Sequence, residues 1–217
     1  MTKVSASLLG ADFARIGEAV KLAQAAGVDS LHIDFMDGHY VPNLALAPYH
    51  LEALAPTTSL PFQVHLELAN PDELLERFNP FPAEMIIVQW DTCPDPAVSF
   101  KRIRARAARV GLGLLPHAPI DPVIGLLDQL DMLLLLGVHP GFGGQEMIAD
   151  MLTWIAEVTK LRDRAAPDLQ IAVDGGIRLT NAESLVQAGV DILVMGTGLF
   201  EARDMRSLVG QLKSYKR

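Results

Sequence analysis

Three short stretches carry residue types that could do acid-base or metal chemistry. In LHIDFMDGHYVPN, His32, Asp34 and Met36 stand two apart, and the two-residue period of a strand aims all three side chains at one face. QVHLEL repeats the arrangement with His65 and Glu67, and IAVDGG ends an aliphatic run with Asp174 before a glycine turn. His32, Asp34, His65 and Asp174 together form a mixed nitrogen and oxygen donor set that suits one zinc, manganese, iron(II) or cobalt ion. Any one of them alone would read as a satisfied core histidine, a cap or a turn residue. Four at the ends of three strands argue for a site.

A second constellation is glycine. HPGFGGQ supplies Gly141, Phe142, Gly143 and Gly144, DGGI supplies Gly175 and Gly176, and MGTGLF supplies Gly196 and Thr197. Each string stands before an expected helix, where bare backbone N–H groups and the helix dipole favour an anion. The bland alternative is that glycine only permits tight turns, which explains one such loop better than three in succession. Ser7, on the first expected strand, is a candidate hydrogen-bond donor to substrate. No nucleophile elbow surrounds it, and Lys3 and Lys21 do not end a strand where a Schiff base would form. His50, His117 and His139 have no partner at ligand spacing.

The elements that must position these residues alternate in type. Runs rich in β-branched or aliphatic residues predict strands at 3–8, 30–35, 62–67, 84–89, 110–115, 131–138, 169–173 and 190–195. Helical periodicity predicts helices at 12–26, 47–55, 71–78, 95–109, 120–128, 146–165, 179–188 and 200–214, with Asp12, Asn70 and Thr180 as caps. Eight strand-helix pairs in 217 residues fit a single α/β domain over 1–217, a compact (β/α)8 TIM barrel, with a doubly wound open sheet as the other arrangement. In both folds the ligand lies at the C-terminal ends of the strands.

Composition narrows the function classes. A formal charge of −8 argues against a broad nucleic-acid or anionic-membrane surface. The longest unbroken apolar run, Met132 to Leu136, is far short of a membrane span. With one cysteine, Cys93, there is no disulfide framework and no cysteine-based zinc site, so a cytoplasmic protein is expected.

SLLGADF, HIDFMDGHYVPN, VHLEL, HPGFGGQ and VDGGI, spread over nearly the whole chain, resemble the ribulose-phosphate 3-epimerase family. The resemblance implies a barrel of the ribulose-phosphate-binding type with one divalent metal on His32, Asp34, His65 and Asp174. It also implies a phosphorylated ketose as substrate and a homo-oligomer. Asp34 and Asp174 would then work on opposite faces of the sugar, one removing the carbon 3 proton and the other returning one from the far side. The chemistry is consistent, because a carboxylate alone is a weak base for a proton beside a ketone and a cation on the carbonyl oxygen stabilises the enediolate.

Several positions depart from the family's pattern. Glu67 replaces a methionine common after the strand-3 histidine, and Leu136 replaces another, so Met36 alone remains of a soft cap over the intermediate. Gln89 stands where histidine is frequent, Asp91 lies near the usual glutamate, Leu115 and Ala118 alter an N-P-x-T-P string, and Gly10 takes the place of a serine. Glu67 would join the metal shell, bind a substrate hydroxyl or turn to solvent. Allulose 6-phosphate is therefore an alternative to ribulose 5-phosphate, and a catalytically silent sugar-phosphate binder is the alternative to an enzyme. A related decarboxylase or aldolase would need a strand-end lysine where Asp34-Phe35-Met36 has none.

Overall fold

The computed structural model describes residues 1–77 and 81–217. Eight parallel strands, β1 (Lys3–Ser7), β2 (Ser30–Met36), β3 (Phe62–Glu67), β4 (Met85–Gln89), β5 (Arg109–Leu114), β6 (Met132–Leu136), β7 (Gln170–Asp174) and β8 (Ile192–Met195), close into a barrel in chain order. Helices α1 (Ile16–Ala26), α2 (Pro48–Leu54), α3 (Pro71–Arg77), α4 (Pro96–Arg104), α5 (Met151–Ala165), α6 (Leu179–Gln187), α7 (Thr197–Phe200) and α8 (Met205–Ser214) lie between and after the strands. This is the expected (β/α)8 architecture. Among the described residues no helix is long and apolar enough to cross a membrane.

Period-two alternation divides the strand residues between two cores. Outward residues such as Val4, Leu31, Ile33, Val64, Val88 and Leu112 pack under the helices with Leu51, Ile103, Ile155 and Leu185. Each such burial contributes about 1.5–3 kcal/mol. Inward residues are segregated by strand. Met85, Ile87, Met132, Leu134, Leu136, Ala172, Ile192 and Val194 make an apolar half from β4 to β8. β1 to β3 supply buried Ser5, Ser7, Ser30, His32, Asp34, Gln63, His65 and Glu67. These polar groups must bond one another: Ser30 Oγ donates to Ser5 Oγ at 2.8 Å and Ser5 Oγ to Gln63 Oε1 at 3.1 Å.

Register is pinned at the floor. Asp29, Asp131 and Asp191 each precede a strand and accept the backbone N–H of Val4, Val110 and Ile171 on the strand before, at 2.8, 2.7 and 2.9 Å. A one-residue slip would break these bonds and turn inward residues such as His32, Asp34 and His65 outward.

The elements differ from expectation in places with local causes. Residues 121–129 form a 3-10 helix, with Pro122 and Gly125 inside it, rather than an α-helix. The helix expected from 146 begins at Met151, after Asp150 in a left-handed conformation (φ 62°). The helix expected at 200–214 is two, parted by a turn that Asp204 ends by accepting from Ser207 N–H. α4 stops at Arg104, five residues short of the expected end. Asp12 accepts from Ala14 N–H and Asn70 from Glu73 N–H, as caps do. Thr180 is no cap but lies inside α6, whose first turn is closed by Asn181 Oδ1 accepting from Arg178 N–H. The expected last residue of α3, 78, lies outside the described residues.

Candidate active site

β2 and β3 run side by side with Asp34 opposite His65 and Met36 opposite Glu67, so the period-two pattern on two strands becomes one inward surface. β7 ends with Asp174. One donor atom from each of His32, Asp34, His65 and Asp174 lies within 4.8 Å of the others. His32 Nε2 stands 3.2 Å from Asp34 Oδ1 and 3.6 Å from Asp174 Oδ2, and His65 Nδ1 stands 3.1 Å from the same Asp34 oxygen. Ser7 Oγ donates to the other Asp34 oxygen at 3.2 Å. Gln89, fully buried on β4, brings Nε2 to 2.8 Å from His65 Nε2.

The charges of these groups are set against each other. Burial alone would raise the Asp34 carboxyl, but the His32 and His65 imidazoles hold it well below the usual carboxylate range. Asp174 is pushed up to about 7, raised by burial and by the Asp34 charge against the pull of His32. Burial would lower His32, yet Asp34 and then Asp174 carry it above its ordinary value. His65 is lowered by burial, with Asp34 opposing. Two carboxylates with separated proton affinities are the arrangement acid-base work needs.

The donor set fits a cation on structural grounds. His32 is fully buried with no well-aligned hydrogen bond at either ring nitrogen, its Nε2 meeting the Asp34 and Asp174 carboxylates only as contacts of 3.2 and 3.6 Å, a condition that coordination of one nitrogen would relieve. Two imidazole nitrogens and two carboxylate oxygens, one from each residue, suit a divalent transition ion.

Above the cluster opens a cleft lined by Ser7, Asp34, Met36, Glu67 and Asp174 and walled by the three glycine loops, including Gly141, Phe142, Gly143, Gly144, Gly175, Gly176, Gly196 and Thr197. Every residue expected at the substrate therefore borders one cavity. Close packing explains the glycines at Gly176 and Gly137: a Cβ on Gly176, at φ 69°, would fall 2.4 Å from Met147 N, and one on Gly137 would fall 2.5 Å from Gly175 O. Asn43 of the VPN string donates to Gly141 O at 2.7 Å, so two separate sequence strings meet to hold one loop. Gln145 Nε2 donates back to His139 O and Phe142 O. The rest of the MDGHY string shapes the wall: Asp37 accepts from His39, Tyr40 and Ala69 N–H, and Tyr40 O–H donates to Asp91.

The pattern of the Ribulose-phosphate 3 epimerase family matches residues 3–200. This chain belongs to the ribulose-phosphate 3-epimerase family. It is 36% identical over 217 residues to the ribulose-phosphate 3-epimerase of Bacillus subtilis strain 168, covering all of both chains. It is 34% identical over 212 residues to that of Escherichia coli K12, covering 97% of this chain and 94% of the relative. Membership makes the chain an isomerase-class enzyme. Among solved structures, tryptophan synthase from Mycobacterium tuberculosis superposes with a TM-score of 0.70 at 14% identity, covering 100% of this chain and 93% of that one. Thiamine phosphate pyrophosphorylase from Pyrococcus furiosus gives 0.64 at 14%, covering 98% and 94%. These show the shared barrel.

The departures from the family's pattern now have places. Glu67 is buried, with Oε1 4.0 Å from His65 Nδ1 and Oε2 without a partner. Burial and the charges of Asp34 and Asp174 push it up to about 9. It does not turn to solvent. Leu136 lines the same cleft. Gly10 packs on the β8 loop, where a Cβ would fall 2.3 Å from Thr197 N. Outside the site, His50 Nδ1 accepts from Ala47 N–H, and His117 meets Ala149 O at 3.2 Å. Sequence reading missed Arg178, which lines the cleft beside Gly176 and Ile177. The signal was a cation four residues after Asp174, at the end of the DGGI string.

Proposed function

We propose that this enzyme is a divalent-metal-dependent epimerase that inverts carbon 3 of ribulose 5-phosphate, giving xylulose 5-phosphate, by two-base proton transfer. The single observation that carries the reading is the convergence of His32, Asp34, His65 and Asp174 within 4.8 Å at the floor of a glycine-walled cleft. The names of the relatives supply the substrate.

His32, Asp34, His65 and Asp174 would hold the ion. When bound, a divalent ion supplies Lewis-acid stabilisation of the charge that develops on the sugar's carbonyl oxygen. Asp34 on β2 and Asp174 on β7, with β8 and β1 between them round the barrel, address the two faces of carbon 3. One carboxylate takes the proton while the other donates from the far side, and the stereocentre inverts. Asp34 is held ionised by the histidines and Asp174 is raised towards neutrality, so one base and one acid coexist near neutral pH. Ser7 fixes the Asp34 carboxylate. The backbone of the loops after β6, β7 and β8 receives the phosphate, and Met36 covers the reacting carbons with an apolar surface. An acidic chain with a single buried cysteine suits a reducing cytoplasm.

Glu67 favours a second reading. A buried carboxylate with one unpartnered oxygen at the cleft wall suits an additional substrate hydroxyl, which allulose 6-phosphate offers. The test of both is deuterium incorporation at carbon 3 in heavy water with zinc- or manganese-loaded protein, comparing the two ketose phosphates. Exchange with inversion of ribulose 5-phosphate supports the first reading, and faster exchange of allulose 6-phosphate the second. Binding of both without exchange removes the enzyme mechanism.

A further inference from the structure

Gln89 is fully buried and makes one side-chain contact of consequence, Nε2 to His65 Nε2 at 2.8 Å, while its Oε1 has no partner. An amide N–H can only donate, so His65 Nε2 here accepts. Neutral imidazole carries one proton. The other orientation of the amide would place that proton on Nε2; in this one it sits on Nδ1, facing Asp34 Oδ1 at 3.1 Å.

That tautomer is incompatible with coordination. The His65 atom turned to the Asp34 carboxylate is Nδ1, and were it to hold an ion it would have to offer its lone pair, which would place the proton on Nε2. An Nε2–H pointed at an amide NH2 is a donor facing a donor. The conflict disappears if the amide turns half a revolution, because Oε1 then accepts from Nε2–H. The two ends of an amide are nearly equal in size, so the turn needs little extra room.

The room exists because of the residue opposite. Gln89 is the register partner of Gly113 on β5. A Cβ at 113 would lie 2.8, 2.9 and 2.9 Å from Oε1, Cδ and Nε2 of the amide. Any side chain there would press on the amide and force it to shift in a core otherwise close-packed.

We propose that Gln89 is a positioning residue that selects the His65 tautomer, turning its amide within the space left by Gly113 so that Oε1 accepts from Nε2–H when Nδ1 serves a cation. His65 stays neutral throughout, and only the site of its proton changes. This rests on the metal-dependent reading above. It assigns a role to a residue that touches neither substrate nor ion, and it explains why a glycine faces a fully buried amide.

The experiment uses the full chain, stripped with a chelator and reloaded with zinc. Zinc affinity is measured by chelator competition, and the His65 tautomer by long-range proton-nitrogen spectra of protein labelled in its six histidines. The parent is expected to show Nδ1–H without zinc and Nε2–H with it. Gln89→Leu, which fills the space but offers no acceptor, is expected to bind zinc about 10- to 100-fold more weakly. Gln89→Glu keeps an acceptor against Nε2 and is expected to restore affinity to within a few-fold of the parent, which a packing role alone would not do. Gly113→Ala should weaken zinc binding as Gln89→Leu does, and if it fails to fold, the Leu and Glu variants decide.

Zinc affinity unchanged in Gln89→Leu, or His65 keeping Nδ1–H in the zinc form, overturns the proposal and leaves the metal-dependent reading intact. A parent that binds no zinc or manganese overturns both.

Discussion

Asp34 and His65 are register partners on β2 and β3, and their side chains meet at 3.1 Å between Oδ1 and Nδ1. The same carboxylate lies 3.2 Å from His32 Nε2 and accepts from Ser7 Oγ at 3.2 Å, so three groups converge on its two oxygens. Asp34→Asn keeps the volume and removes the charge. It is expected to weaken metal binding and to lower epimerisation by about 10²- to 10⁴-fold, the range of a lost acid-base group. Turnover of ketose phosphate at saturating metal checks this, and a loss of less than tenfold removes Asp34 from the reacting pair.

The stripped protein should lose stability as pH rises. Asp174 and Glu67 are raised to about 7 and about 9 from ordinary values of 3.8 and 4.5. A carboxyl raised on folding contributes stability that is complete below its unfolded pKa and gone above its folded one. Asp174 therefore acts between about pH 4 and 7, and Glu67 up to about pH 9. Asp34 has the opposite sign, its contribution being lost only on acidification below about pH 4. Between pH 7 and 9 the Glu67 carboxyl and the raised His32 imidazole act in the same direction, so the thermal midpoint should fall across that range and Glu67→Met should make the fall shallower. Calorimetry of chelator-treated protein reads the slope, and identical slopes for the two proteins count against a buried, protonated Glu67.

Restoring the family's serine at position 10 should destabilise this chain. A Cβ there would lie 2.3 Å from both Gly196 C and Thr197 N, backbone atoms with no side-chain freedom to yield. Overpacking of this kind costs about 1–3 kcal/mol. Gly10→Ser is expected to lower the denaturant midpoint accordingly and to raise KM for ketose phosphate, because the displaced loop lines the cleft and belongs to the proposed phosphate cradle. Unchanged stability and KM would show that the β8 loop moves freely.

The sequence made the candidate cluster legible because β2 and β3 obey a strict two-residue period, so His32, Asp34, His65 and Glu67 could be put on one face without coordinates. Glycine strings after β6, β7 and β8 were legible for a similar reason, each marking a backbone left bare. What lay beyond reading was the contact between distant strings. Met147 stays out of the helix because its backbone packs against Gly176, and Ile148 N–H donates to Gly137 O at 2.8 Å, a demand that residue periodicity at 146–150 does not carry. The polar half of the barrel interior was also hidden, since Ser5, Ser30 and Gln63 look like ordinary strand residues until their hydrogen bonds are seen. Arg178 escaped notice because a lone cation at a helix start has no periodic signature.

Arg178 is the one cationic side chain among the described residues that line the cleft. Its Nη1 lies 3.2 Å from where a Cβ on Gly198 would stand, so the half-buried guanidinium lies along the loop after β8. The backbone of the glycine loops offers partial charges only, and a dianionic phosphate gains more from a full cation with several N–H donors. The expected consequence of Arg178→Gln is a loss of about 1.5 kcal/mol or more of phosphate binding, close to tenfold. In the proposed binding mode the phosphate is remote from carbon 3 and bound alike in ground and transition states, so the loss should fall on KM with kcat held. Steady-state kinetics with ketose phosphate separates the two parameters, and inhibition by inorganic phosphate should weaken in parallel. Equal KM in parent and variant would place the guanidinium outside the phosphate's reach and leave anion binding to the backbone alone.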